Sequence, residues 1–139
     1  MVETQAVAAE IELLRRMYAA FNRRDIEQVL AEMKDDVDWP NGMEGGRVLG
    51  KSAVRDYWTR QFQVLDPNVE PKRFTREADG RIAIDVHQVV HDKSGELVVD
   101  QMIQHVYEFR DGRIQSMEIR EGAQSRDSAK EFFTTKDTK

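Results

Sequence analysis

Residues 96–121 read ELVVDQMIQHVYEFRDGRIQSMEIRE. The Asp111-Gly112 pair lies between two runs that alternate apolar and polar side chains, the pattern of a β-hairpin. Asp79-Gly80 and Ser94-Gly95 repeat the turn signal upstream. The three turns divide the second half of the chain into strands near 69–78, 81–91, 96–110 and 113–121. No segment between them is long enough for a crossover helix, so the sheet must be an antiparallel meander. The strands at 81–91 and 96–110 exceed the usual length. Long strands with one apolar face curl around whatever they cover.

The first half has a helical rhythm. Val7, Ile11, Leu14, Tyr18 and Phe21 step by four and three and define one helix face. Asp25 is placed as an N-cap, with Gln28 completing a capping box. Ile26, Val29, Leu30 and Met33 give a second helix, which should stop at Asp35 and Asp36, where acids oppose the helix dipole. VDW, residues 37–39, is extended because Pro40 pushes Trp39 away from helical angles. NGMEGGRVLG is a loop with four glycines. A third helix over roughly 51–65 carries Val54, Trp58, Phe62 and Leu65 on one face, and Pro67 prevents its continuation. Three helices followed by an antiparallel sheet make an α+β layer. Residues 1–122 are read as one domain, and 123–139 as a polar tail or short helix.

The totals exclude several classes. A chain of 139 residues fits a single core. Its net charge is −5, with acidic and basic residues interspersed, and no basic stripe points to nucleic acid. It has no cysteine, so disulfide and thiolate chemistry are excluded. The start lacks a basic leader with an apolar core, so no signal peptide is expected. No run approaches the roughly 18 apolar residues of a membrane span. A cytoplasmic location is the expectation.

His105 interrupts the alternation IQHVYEF with a titratable group. A hairpin with three loop residues would pair Phe109 with Arg113 and set His105 opposite Met117. Ile103, His105, Tyr107, Phe109, Met117 and Ile119 would then share the inner face. A loop of two residues would slip the strands by one and set His105 on a face with Glu118. Facing inward, His105 is either a core residue with one hydrogen bond or a general acid or base at a pocket floor. An apolar wall would lower its pKa and keep it neutral, competent as a base.

The stretches RRMYAAFNRRDIEQVLAEMKDDVDW, GKSAVRDYW and HVYEFRDGRIQSMEIRE, in that order and spacing, resemble the nuclear-transport-factor-2-like superfamily, in its SnoaL-like and ketosteroid-isomerase-like branch. The resemblance runs from about Ile11 to Glu121. It implies a cone: a curved sheet wrapped around the helices, with a deep apolar pocket and a homodimer formed through the outer sheet face. The ketosteroid isomerase pattern would place a tyrosine at Met17, a catalytic aspartate at Trp39 and a protonated aspartate at His105. All three differ here, so steroid isomerisation by that constellation is not expected. Tyr18 is turned from the tyrosine position by about 100°, and Asp38 should point away from the pocket.

The resemblance implies a small-molecule pocket protein of SnoaL-like type. As an enzyme it would move a proton in an isomerisation, cyclisation or dehydration of a mostly apolar ligand, without a cofactor. His105 would be the acid or base, and Tyr18 or Tyr107 the hydrogen-bond donor. Trp39, Trp58, Phe62, Met117 and Ile119 would form the walls, with Tyr57 beside them; the alternative reading of each of these aromatics is a core residue with no role at a site. His87 has two readings: strand phase turns it outward, whereas the family resemblance turns it inward, as a polar partner of His105 like that of family dehydratases. Three histidines on two strands show no metal-ligand spacing. The alternative function is a non-catalytic dimeric module that binds a ligand or another protein.

GGRVLGKS, residues 45–52, matches the phosphate-loop motif, and RIAID at 81–85 mimics the second acidic motif. That mechanism needs a buried parallel strand feeding the loop. The meander provides none, so the glycines are read as a mobile loop at the pocket edge and Gly50 or Ser52 as the start of the third helix.

Overall fold

A computed structural model describes residues 2–121, with side chains from residue 7 onward. The order of elements is α1 (Val2–Asn22), α2 (Ile26–Ala31), β1 (Met33–Pro40), β2 (Arg47–Leu49), α3 (Lys51–Val64), β3 (Leu65–Arg76), β4 (Ile82–Asp92), β5 (Leu97–Arg110) and β6 (Arg113–Glu121). The six strands form one curled, unclosed sheet in the order β2-β1-β6-β5-β4-β3. The α+β architecture and the meander from β3 to β6 are as the sequence predicts. The expected tail at 123–139 lies outside the described residues.

Four local expectations are corrected. The second helix ends at Ala31, not at the two aspartates, and Met33 already belongs to β1. Met33 is fully buried, and its apolar character satisfied the helical spacing and the strand alike. The short extended piece at 37–39 is an eight-residue strand that runs parallel to β6. The glycine-rich loop contains β2, paired antiparallel to β1. Lastly, β3 begins directly at the end of α3 and includes Pro67 and Pro71. Both prolines are tolerated because β3 is an edge strand, where a missing N–H costs no ladder bond.

The hairpin that decides the faces differs in detail. Asp111 and Gly112 form a two-residue turn with φ of 54° and 76°, and Arg110 pairs with Arg113. On a plain ladder that turn would put His105 opposite Glu118. Gln115 stands unpaired between Ile114 and Ser116, a β-bulge that adds one residue to β6. The bulge restores the phase: Tyr107 pairs with Met117 and His105 with Ile119. The faces are therefore those expected, and the pairing is displaced by two residues.

The helices cover the inner face of the sheet. Leu14, Met17 and Tyr18 of α1, Leu30 of α2 and Trp58 of α3 pack in one cluster with Ile84, Ile103 and Tyr107 of the sheet. At the end of α1 the Asn22 amide grips the β3 edge. It donates to the Val69 carbonyl at 2.8 Å and accepts from the Val69 N–H at 2.9 Å.

Candidate functional site

The cluster does not fill the cone. Between the helices and the inner face of the sheet lies a cavity of about 560 Å³, within the range of small-molecule sites. Strand alternation puts Gln101, Ile103, His105 and Tyr107 of β5 along one wall. Met117 and Ile119 continue that wall on β6, and Trp39 enters from β1. Trp58 crosses Trp39 edge to face at 5.5 Å, so the two indoles form one rigid corner. Among the described residues, no carboxylate, lysine or arginine lines the cavity.

Three side chains meet at the floor. The Tyr18 hydroxyl lies 2.7 Å from Nδ1 of His105 and 2.8 Å from the Tyr107 hydroxyl. The rings of Tyr18 and His105 are within 10° of parallel. All three residues are buried, and Tyr107 has no exposed surface. Nε2 of His105 has no partner among the described residues, and the ring forms part of the cavity wall. Burial lowers the His105 pKa to about 4, so the ring is neutral at physiological pH. Burial drives both tyrosines far above their usual value, so both hydroxyls keep their hydrogens.

Tyr18 and Tyr107, named from sequence as alternative donors, are therefore successive links of one chain. Tyr18 of α1 reaches across to the sheet, where its hydroxyl meets Nδ1 of His105. Sequence reasoning found each residue but not the link, because α1 and β5 are separated by 87 positions at the shorter contact.

Tyr57 lines the cavity, and its hydroxyl accepts from the Gly42 N–H at 2.9 Å. That bond pins the glycine-rich loop to α3. Two predicted site residues stand elsewhere. Phe62 packs against Phe21 at 5.3 Å and does not line the cavity. His87 is on the outer face, because Val86 and Gln88 on either side of it turn inward, and its Nε2 lies 2.7 Å from an Asp100 carboxylate oxygen. No pair of His87 and His105 exists. Asp38 points away from the cavity as expected, held by Arg47 at 2.7 Å.

Sequence reasoning missed Gln88 and Gln101. They face each other across β4 and β5, line the cavity and share a hydrogen bond of 2.9 Å. Two glutamines at inward positions of long strands were the available signal. The phosphate-loop match is not a phosphate cradle. Residues 47–49 are a strand, Gly50 gives its N–H to the Val37 carbonyl at 2.7 Å, and Lys51 pairs with Asp35 at 3.6 Å. Among the described residues no three metal-ligating side chains come together, and no helix is long and apolar enough to cross a membrane.

No curated protein matches the chain. Solved structures do. A nuclear-transport-factor-2-like protein of unknown function from Burkholderia pseudomallei is 26% identical, with a TM-score of 0.71 over 82% of this chain and 91% of that one. TerC, co-crystallised with polyporic acid, is 29% identical, with a TM-score of 0.71 over 82% of this chain and 92% of that one. A Mycobacterium tuberculosis protein in complex with estradiol-17beta-hemisuccinate shares the fold at 18% identity, with a TM-score of 0.70 over 84% of this chain and 96% of that one. The family model of the SnoaL-like domain matches residues 14–117, from the first helix to the cavity wall of β6. By that match and that fold, the chain belongs to the SnoaL-like family of the nuclear-transport-factor-2-like superfamily.

Proposed function

We propose that residues 1–122 act as one unit that binds a small, largely apolar molecule in the cavity and promotes cofactor-independent proton-transfer chemistry on it, of the isomerase, cyclase or dehydratase kind. The observation that carries this reading is the Tyr107–Tyr18–His105 chain, a buried polar cluster on the wall of an apolar cavity. A polar network that served packing alone would close on itself, whereas this one ends at an Nε2 with no protein partner among the described residues. Trp39, Tyr57, Trp58, Met117 and Ile119 would hold the ligand. The ligands named for two structural relatives, polyporic acid and an estradiol derivative, support a compact ring-bearing ligand.

A non-catalytic binding module is the second reading. It is favoured by the lack, among the described residues lining the cavity, of a carboxylate to abstract a proton. A homodimer through the outer sheet face accompanies both readings. The test is a screen of polycyclic ketones, lactones and phenols against the full chain, read by fluorescence of Trp39 and Trp58. Binding that is lost when Met117→Trp fills the cavity supports the proposal. No binding by any compound at its solubility limit counts against it.

A further inference from the structure

The hydrogens of the floor cluster can be assigned by counting. The Tyr107 hydroxyl has no exposed surface, and its one partner among the described residues is the Tyr18 oxygen. A buried hydroxyl must give its hydrogen to an acceptor, so Tyr107 donates to Tyr18. Tyr18 then has one hydrogen left and one remaining neighbour, Nδ1 of His105 at 2.7 Å. Nδ1 therefore accepts, and a neutral imidazole that accepts at Nδ1 carries its hydrogen on Nε2. The opposite order, with Nδ1–H donating to Tyr18 and Tyr18 to Tyr107, leaves the Tyr107 hydrogen pointing at no acceptor in a closed space.

We infer that His105 presents Nε2–H to the cavity as a fixed hydrogen-bond donor, not as a base, and that the site takes ligands with a carbonyl-type oxygen directed at that nitrogen. The inference rests on the cavity being a ligand site and gives that site a polarity. It replaces the base role expected of His105 with electrophilic assistance: the donor polarises the ligand oxygen and stabilises negative charge that develops there. The hydrogen stays on His105. Surrendering it would draw the Tyr18 hydrogen onto Nδ1 and leave a phenolate at Tyr18 in an apolar interior. Any proton that moves between ligand atoms must then be carried by the ligand or by water, since the described cavity wall offers no free base. The inward file of β5 adds a second polar point. Gln101 stands four residues from His105, about 13 Å along the strand, and bonds Gln88 there, so a ligand of two or three rings extends from the donor past Ile103 toward the amides.

Two measurements test this. In the full chain labelled with ¹⁵N-histidine at pH 7, with the His105 signals identified by their loss in His105→Gln, the expected pattern is a pyrrole-type Nε2 and a pyridine-type Nδ1. A protonated Nδ1, or an imidazolium, overturns the inference. In the second, wild-type affinity is compared for 2-acetylnaphthalene and 2-isopropenylnaphthalene, which differ by a carbonyl oxygen against a methylene. The ketone should bind about tenfold more tightly, the worth of one good neutral hydrogen bond. Equal affinities overturn the acceptor requirement. Failure of both compounds to bind counts against the ligand-site reading itself, while the tautomer is still decided by the nitrogen spectrum.

Discussion

Replacing Tyr18 with phenylalanine removes one oxygen and strands two groups. In the wild type that oxygen accepts from Tyr107 at 2.8 Å and donates to His105 at 2.7 Å. After Tyr18→Phe, the Tyr107 hydroxyl and Nδ1 of His105 are both buried with no other partner among the described residues. An unsatisfied buried polar group costs about 1–3 kcal/mol, so the variant should lose about 2–6 kcal/mol. For a domain whose whole stability is of order 5–15 kcal/mol this is a large fraction. It corresponds to about 4 °C of melting temperature per kcal/mol at this size. Tyr107→Phe is the control, because it removes only the terminal hydroxyl. Tyr18 keeps its donor bond to His105 and forfeits one acceptor contact, a loss of about 0.5–1.5 kcal/mol. The double variant should be little worse than Tyr18→Phe alone, because the orphaned hydroxyl is gone. Urea unfolding followed by tryptophan fluorescence reads all three proteins. A Tyr18→Phe loss under 0.5 kcal/mol, or a larger loss in Tyr107→Phe, would refute the bridging role and with it the hydrogen count.

Acid should destabilise the fold through His105. Its pKa is held at about 4 in the folded chain against 6.5 unfolded, so below pH 6.5 the unfolded chain binds a proton that the native ring refuses. Stability falls as pH drops from 6.5 to 4, by about 3 kcal/mol at about 1.4 kcal/mol per pH unit, and this component levels off below the folded pKa. Subtracting the pH profile of His105→Gln isolates it, and parallel profiles would contradict the assignment. Asn22→Ala should cost about 1–3 kcal/mol by leaving the Val69 N–H and C=O unpaired at the sheet edge, and hydrogen exchange should accelerate at Val69 while β5 amides stay protected. The proposed outer-face dimer predicts that Met102→Glu sediments as a monomer while the wild type sediments as a dimer, and equal masses would remove that surface as the interface. Trp39→Ala should cost about 3–5 kcal/mol through the void beside Trp58, measured by the same urea titration.

Turn signals and strand alternation were enough to place the sheet and to turn His105, Tyr107, Met117 and Ile119 inward, because side-chain direction has period two and survives small errors of pairing. The pairing itself was not readable. A two-residue turn plus a bulge gives the same faces as a three-residue turn, and nothing local in RDGRIQS separates them. Met33 illustrates a second limit: a single apolar residue fits the end of a helical stripe or the start of a strand, and contact with β6 decided for the strand. Strand β2 was hidden because three residues between glycines carry no period. His87 was ambiguous from sequence because resemblance and strand phase disagreed, and strand phase prevailed. The floor cluster was half legible. Each member announced itself as a polar group at an apolar position, but joining Tyr18 to β5 required the helix to be laid across the sheet.

The unpaired Gln115 resembles a dislocation in a crystal: rows on either side of it are offset by one step, and a step of that kind can glide. Were it to travel up β6 past Ile119, the ladder it left behind would match His105 with Glu118 and bring a carboxylate to the one polar floor of the cavity. Gln115 counters this by reaching across to β1, where its amide meets the Asp36 side chain at 3.2 Å and the Asp36 carbonyl at 3.3 Å. The contact that braces the register facing the interior is thus made outside it, between an irregular point in one strand and an irregular point in its neighbour.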